Sequence, residues 1–546
     1  MPTKPFPDLE RQMEVKSDED YNPSIRLFGR RFFSDQTVPE LLIEFLLVAT
    51  SMKKIAGNRL PDEALFPSLE QIRAWPPLEP LQYAPKARLN LKLFAFLGAS
   101  KLDTRHESHR RHYRDLISTM KTSDKLSAGS LDKDEILRTL ENLFLGFQSV
   151  GGQRTWCAQA FLPVTSQLVS GESIWREKKA QSAKVRDWED SLGFFSHAVR
   201  LFLARGGELL YLQVCNALRS DEALLKSWCR DVGLSLSSRE SSPVVLHEAL
   251  ERALSSALNA CPETVGSLAE FLDTGVDPLT AKQTDFAAGG PNPRFVSCGW
   301  CPEECWPEGL LFCVELLRLC EAVIDPIERL EMLEIACAMQ LLRSLCAQSA
   351  RYAVPPRQAR GPLGYVWAFS DPAGEQVTIK QISRRNVNAV QRLIHGAIRH
   401  PGIESTYRND IERTKIYKEA DRRYGHKLFL TMAKRIGLII PKRGSGARFV
   451  LNDRLLRFLV LSLLRPGERV TYESFKELLR IHYGIAVDDN SLAESCEWSG
   501  TPPLTTLGGA SDTWLTEMLD ASGVLIQLSD SCSLVMNPFA SQEVSQ

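Results

Sequence analysis

The feature that most constrains this chain is the spacing of apolar residues across positions 136–352. In LRTLENLFLGF, FFSHAVRLFLARGGELLYLQVCNAL and PVVLHEALERALSSALNAC they recur three and four residues apart. That period puts an apolar stripe on each of several helices, and such stripes are stable only when packed against one another. A pattern this long predicts a helical core. Composition agrees, because 44% apolar and 24% charged residues are ordinary globular usage and exclude a disordered chain. The 546 residues suit roughly three or four domains.

Shifts in composition mark the boundaries. Residues 1–120 form an N-terminal helical domain. Its first clear helix lies in TVPELLIEFLLVATSMKK, with Thr37 as N-cap, Pro39 in the first turn and Glu40 three residues after the cap. The polar, Ser-rich stretch 121–135 is a linker. Residues 136–352 make a central helical domain, interrupted by an irregular Cys-containing insert at 284–309. VPPRQARGPLG follows as a second linker.

Residues 362–451 and 452–546 then mix helices with short strands. YVWAFSDPAGEQVTIKQI predicts a β-hairpin turning at DPAGE. Helices over VNAVQRLIHGAI and EADRRYGHKLFLTMAKRIG lead into GLIIPKRGSGARFVL, two apolar runs around a Gly-rich, basic tip. A second unit repeats the order: DRLLRFLVLSLL, a Thr471-capped YESFKELLRIHYG, ASDTWLTEMLDASG, and the strand pair VLIQL and CSLVM. The fold class predicted is mainly α: a multi-domain helical protein ending in tandem winged-helix (α+β) domains.

Charge is unevenly distributed. From 380 to 448 there are 17 Lys/Arg against 5 Asp/Glu, a surplus of +12 in a chain whose net charge is −1. Such asymmetry is the footprint of a nucleic-acid-binding module. A winged helix lays a helix in the major groove, and its wing touches the backbone. Tip glycines permit positive φ and close approach, while Lys and Arg donate charge-assisted hydrogen bonds to phosphate. The DNA-contacting candidates are Arg422, Arg423, Lys427, Lys434 and Arg435 on the helix, and Lys442, Arg443 and Arg448 at the wing. Tyr407, Tyr417 and Tyr424 are interleaved with them. The second unit is less basic and suits a structural or dimerising role. Upstream, RHESHRRHYR sets Arg110 and Arg111 among His106, His109 and His112. The guanidiniums there would repel a metal cation, so phosphate is the better functional ligand. The bland alternative for both basic regions is a solvated face that docks on an acidic protein.

CGWCPEECW places Cys298, Cys301 and Cys305 in a C-x2-C-x3-C spacing. Thiolates so spaced can share a zinc ion or an iron–sulfur cluster, and the alternative is a Trp-flanked loop whose cysteines simply pack. Most of the 13 cysteines call for the plainer reading, since many sit in apolar helical runs as small buried hydrophobes of a reducing cytosol. Arg205-Gly206-Gly207-Glu208 interrupts an apolar helix and points to a kink or close packing, because glycine there costs roughly 1 kcal/mol relative to alanine. Cys157 with His197 would be a nucleophile and its base. There is no GxxxxGK[ST], GxSxG or HExxH motif. No apolar run approaches the roughly 18–20 residues of a membrane span, and the first twenty residues lack an apolar core. These absences predict a cytoplasmic protein with no membrane partner.

Two sets of segments resemble a known type. The run from Tyr424 through YGHKLFLTMAKRIGLIIPKRGSGARFVLNDRLLRFLVLSLLRPGERVTYESFKELLRIHYGIAV is one; RTWCAQAFLPVTSQLVSGESIW and LARGGELLYLQ are the others. Together they resemble poorly characterised proteins of bacterial anti-phage defence islands, in Druantia-like and methylation-associated multi-gene systems. The resemblance covers about a quarter of the chain and brings no catalytic motif. It implies a non-catalytic DNA-sensing or scaffolding subunit beside a separate helicase or nuclease. The function predicted is a cytoplasmic, cofactor-free subunit that binds DNA through its phosphate backbone. A scaffold whose winged helices dock partner subunits is the alternative, and a metal-dependent enzyme around Cys298, Cys301 and Cys305 is the third.

Overall fold

Helix α1 (Val38–Thr50) starts where the sequence places it: the Glu40 carboxylate accepts the Thr37 backbone N–H at 2.6 Å, closing a capping box. The computed structural model describes residues 22–29, 36–60, 64–76, 79–84, 132–135, 206–260, 295–354, 359–404, 410–500, 511–529 and 532–540, with 118, 121, 138 and the strand segments 173–175 and 195–197. The histidines and arginines of 105–114, including Arg110 and Arg111, lie outside the described residues, as do Cys157 and Tyr407.

After α1 come β1 (Met52–Ile55), β2 (Asn58–Arg59) and β3 (Gln82–Ala84). Two further strands, β4 (Ser173–Trp175) and β5 (Phe195–His197), pair antiparallel with each other. Helices α2 (Gly206–Arg219) and α3 (Pro243–Leu258) follow, then β6 (Val296–Ser297), which completes an antiparallel sheet in the order β2-β1-β3-β6. Helices α4 (Trp306–Glu321) and α5 (Pro326–Tyr352) close the central region.

The paired glycines have a packing role. A β-carbon on Gly207 would overlap the Leu41 carbonyl oxygen and the Glu44 β-carbon of α1. Gly309 of α4 stands equally close to the Gln213 carbonyl of α2. Helix α2 is thus gripped between two neighbours, each at glycine distance. The backbone N–H of Gly207 donates to Glu44 at 3.0 Å, and Tyr83 donates to Glu208 at 2.5 Å.

Beyond residue 359 the chain forms β7 (Trp367–Ser370), α6 (Val377–Ile398), α7 (Asp410–Glu419), a π-helical turn (Ala420–Tyr424) and α8 (His426–Arg435). Strands β8 (Ile439–Ile440) and β9 (Arg448–Val450) come next. Then follow α9 (Asp453–Leu463), β10 (Arg469–Thr471), α10 (Tyr472–Tyr483), β11 (Ile485–Ala486), α11 (Asp489–Ser499), α12 (Thr513–Ala521), β12 (Leu525–Ser529) and β13 (Cys532–Met536).

One sequence expectation is corrected here. VTIKQI is the start of α6, not the second strand of a hairpin. Asp371 accepts the Glu375 N–H at 2.6 Å and Gly374 turns at φ +75, so the DPAGE segment is a turn into a helix. Buried Ile379, Ile382, Val390 and Leu393 then keep helical spacing. That period outweighs the local preference of Val, Thr and Ile for strand. Strand β7 instead pairs parallel with both β9 and β11, in a sheet ordered β11-β7-β9-β8. Because β11 lies beyond position 452, this sheet draws on both segments that the sequence divides into separate domains. The third sheet is antiparallel, in the order β10-β13-β12.

A single apolar core runs from Leu27 to Val535. Inside it, Arg343 of α5 forms a bidentate pair with Glu315 of α4 at 2.7 and 2.9 Å. Arg343 also donates to the His482 carbonyl at 2.9 Å, and the His482 ring meets Glu315 at 2.7 Å. This ties the central helices to α10. The protein is mainly helical with small sheets, and no described helix is long and apolar enough to cross a membrane.

Candidate nucleic-acid interface

The basic tip is carried by a true hairpin. Ile439 pairs with Phe449 and Ile440 with Arg448, antiparallel. Phe449 is fully buried and stacks on Trp367 and Phe369, each at 5.8 Å between ring centroids. The base of the hairpin is therefore fixed in the core while positions 441–445 are exposed. Gly444 and Gly446 turn the tip at φ +95 and +86, conformations that a side chain would strain. Among the described residues, Lys442 and Arg443 meet no carboxylate.

Arg448 does not belong to this exposed set. It is only 5% exposed, and its Nη1 donates to Ser370 Oγ at 2.6 Å and to the Asp371 carbonyl at 2.7 Å. Nη2 donates to the Pro372 carbonyl at 2.8 Å. The residue bolts the hairpin to the turn before α6, so its assignment as a wing contact is corrected. All three residues of β9 are buried, and the Arg448 guanidinium supplies the donors that the Ser370 hydroxyl and the carbonyls of that turn accept.

The helical candidates divide. Arg422 and Lys427 are exposed, and Lys434 is half-buried seven residues after Lys427, on the same face of α8. Arg423 pairs with Glu419 at 3.2 Å, but both side chains are about two-fifths exposed, and such a pair is weak enough to be exchanged for phosphate. Arg435 donates to the Gln36 carbonyl and so holds the N-terminal segment against α8. The π-helical turn carrying Arg422 and Arg423 is itself anchored. Arg399, the residue that caps the C-terminus of α6, grips Asp421 with two bonds, at 3.0 and 2.6 Å, and lies over the Tyr417 ring at 5.0 Å.

Two cations that the sequence reading did not select join the tip. Arg384 of α6 lies over Gly446, close enough that a β-carbon there would stand 3.0 Å from its Nη2. A β-carbon on Gly374 would likewise stand 3.2 Å from Lys380 Nζ and 3.0 Å from Arg448 Nη2. Lys380 and Arg384 are four residues apart on one helix, hence neighbours on its surface. The sequence shows Arg384 beside Arg385 as a basic pair, but with Lys380 read as part of a strand the two share no helix face. Burial pushes the Arg448 guanidinium's pKa down, Asp371 opposes that, and Arg384 lowers it further.

No family model, curated protein or solved structure matches the chain.

The three clustered cysteines are all buried. Cys301 accepts from Asn216 Nδ2 at 3.4 Å, and the Cys305 thiol faces Gln348 Oε1 at 3.6 Å. Burial pushes both thiols well above their ordinary pKa, with nearby Glu304 and Glu308 adding to the effect, which keeps them protonated. Among the described residues no group of three His, Cys, Asp or Glu side chains is arranged to hold a metal ion. The zinc and iron–sulfur reading thus gains no ligand set from these residues.

Proposed function

We propose that this protein binds DNA through the phosphate backbone, without reading base sequence, as a non-catalytic subunit. The observation that carries the reading is the pair Lys442 and Arg443, exposed at a glycine-turned tip whose base is locked by Phe449. Rigidly held, uncompensated cations suit phosphate, and their attraction acts over many positions along a duplex. Arg422, Arg423, Lys427 and Lys434 extend the same charge. The resemblance to defence-island proteins fits a place beside a separate helicase or nuclease.

The winged-helix reading is proposed for residues 452–546. What supports it is the antiparallel sheet β10-β13-β12, in which the strand after α9 lies beside the terminal hairpin, although β11, between α10 and α11, pairs with β7 instead. In residues 362–451 the extra strand β7 runs parallel to β9, so the proposal there rests on the hairpin and its cations rather than on the fold.

The test is duplex binding at two salt concentrations, wild type beside Lys442→Glu/Arg443→Glu. Binding that weakens with salt and is lost in the variant is the expected result. Absence of binding at low salt would overturn it.

A second reading, docking of a partner subunit, is favoured by the acidic character of 452–546, which has 6 Lys/Arg against 13 Asp/Glu. Leu528, on the terminal hairpin, is 60% exposed and would suit such a contact. Under that reading the same charge reversal removes a co-purifying protein and leaves DNA binding unaltered.

A further inference from the structure

The basic module also differs in kind from a single-strand binder. Proteins that hold single strands without sequence preference stack the unpaired bases on exposed aromatic rings. Here every described Phe, Tyr and Trp from 362 to 451 is buried: Tyr365, Trp367, Phe369, Tyr417, Tyr424, Phe429 and Phe449. These rings belong to the core and present no platform for a base. Tyr417 and Tyr424, interleaved with arginines in the sequence, point into the protein.

What the surface offers is charge held by backbone. Arg384 is exposed and seated on Gly446, and Lys380 sits over Gly374. Among the described residues neither meets a carboxylate, and the nearby Asp371 is 5% exposed and already opposes Arg448. Three cations from two elements thus converge around two glycines, with one buried acid among them. Like charges so placed repel one another, and an anion between them would relieve that repulsion. A duplex meets this requirement because it hides its bases and presents phosphates along both strands.

Resting on the DNA-binding reading above, we propose that the module is a duplex clamp, in which Lys380 and Arg384 grip the backbone together with Lys442 and Arg443. The clamp discriminates by what its described residues lack: a single strand gains no stacking energy from their rings, all of which are buried. Base–aromatic stacking contributes roughly 1–3 kcal/mol per base where it exists, so its absence forgoes about tenfold or more in single-strand affinity.

The experiment measures binding of a short mixed-sequence duplex, one of its strands and an oligo-dT of equal length, over a range of salt. The full-length protein is compared with Lys380→Ala/Arg384→Ala and with the charge-keeping Lys380→Arg/Arg384→Lys. The expected result is duplex binding about tenfold or more tighter than either single strand. The alanine pair lowers the slope of log affinity against log salt by about 2, and the charge-keeping pair retains it. Equal or tighter single-strand binding would overturn the clamp while leaving DNA binding in place. An unchanged slope in a folded alanine pair would remove Lys380 and Arg384 from it. Failure of all three probes to bind would overturn both readings.

Discussion

Arg384 lies across the backbone of Gly446, so close that a β-carbon on the glycine would stand 3.0 Å from its Nη2 and require the guanidinium to shift. Two separate demands therefore meet at one position, the open space and the φ of +86. Gly444, with φ +95, carries only the second, because nothing lies within 4 Å of where its β-carbon would be. Alanine at either glycine should cost about 1–2 kcal/mol of left-handed strain. Only Gly446→Ala should also displace Arg384 and weaken duplex binding beyond what Gly444→Ala does. Thermal unfolding and a binding titration on the two variants separate the effects. Equal affinity losses would show that the seat of Arg384 has no bearing on DNA.

Arg448 and Lys442 are six residues apart on one hairpin and should behave oppositely. Arg448→Ala leaves two buried acceptors, the Ser370 hydroxyl and the Asp371 carbonyl, and the part-buried Pro372 carbonyl without their donor. Unmet buried groups cost roughly 1–3 kcal/mol each before relaxation and water entry, so a loss of about 2–4 kcal/mol is expected. Lys442→Ala, fully at the surface, should stay within about 0.5 kcal/mol of wild type in stability. Chemical denaturation of both variants checks this, and a stable Arg448→Ala would return that residue to the exposed set.

Much of this arrangement is legible in the sequence. Thr37 and Glu40 announce α1, Thr471 caps α10 through the Ser474 N–H, and the apolar runs around Lys442 mark β8 and β9. Those signals are local, and local chemistry decides them. What could not be read is decided by contacts distant in sequence. VTIKQI has strand-forming residues, yet the buried face shared with β9 and α11 makes it helical, and with that error Lys380 and Arg384 lost their common face. Arg448 looks like any basic residue at a Gly-rich tip, because its acceptors lie almost eighty residues upstream. The fate of Tyr417 and Tyr424 likewise depends on which side of their helix the core lies, which charge counting does not reveal.

The Arg343–Glu315 pair, wholly buried and joined to His482, predicts an asymmetric response to mutation. Glu315→Ala strands a guanidinium in the core beside Gln340 and the Tyr483 ring. Removing one partner of such a pair typically costs about 3–5 kcal/mol. Replacing both, as Arg343→Met/Glu315→Leu, leaves no unpaired charge and should cost less than the single change. A double-mutant cycle by urea denaturation measures the coupling. Additive losses would mean that the pair contributes nothing beyond its packing.

Acid should act on a second buried pair. Burial alone pushes the Glu240 carboxyl up, but the charge and hydrogen bond of Arg318, at 2.8 Å, and a bond from Ser237 outweigh it and hold the pKa at about 2. The unfolded carboxyl, near its ordinary 4.5, takes up its proton first as pH falls. The stability this pair supplies is therefore complete above 4.5 and is lost as pH drops towards 2, roughly 3 kcal/mol in all. Glu334 works the other way: burial raises it to about 7, so its contribution is complete below 4.5 and fades as pH rises through 7. Urea unfolding of wild type, Glu240→Gln and Glu334→Gln from neutral pH down to about pH 3 isolates each part. Glu240→Gln should flatten the acid limb while lowering stability at neutral pH, since Arg318 keeps its buried place without a charged partner. An acid limb identical in wild type and Glu240→Gln would assign the acid sensitivity to other carboxylates.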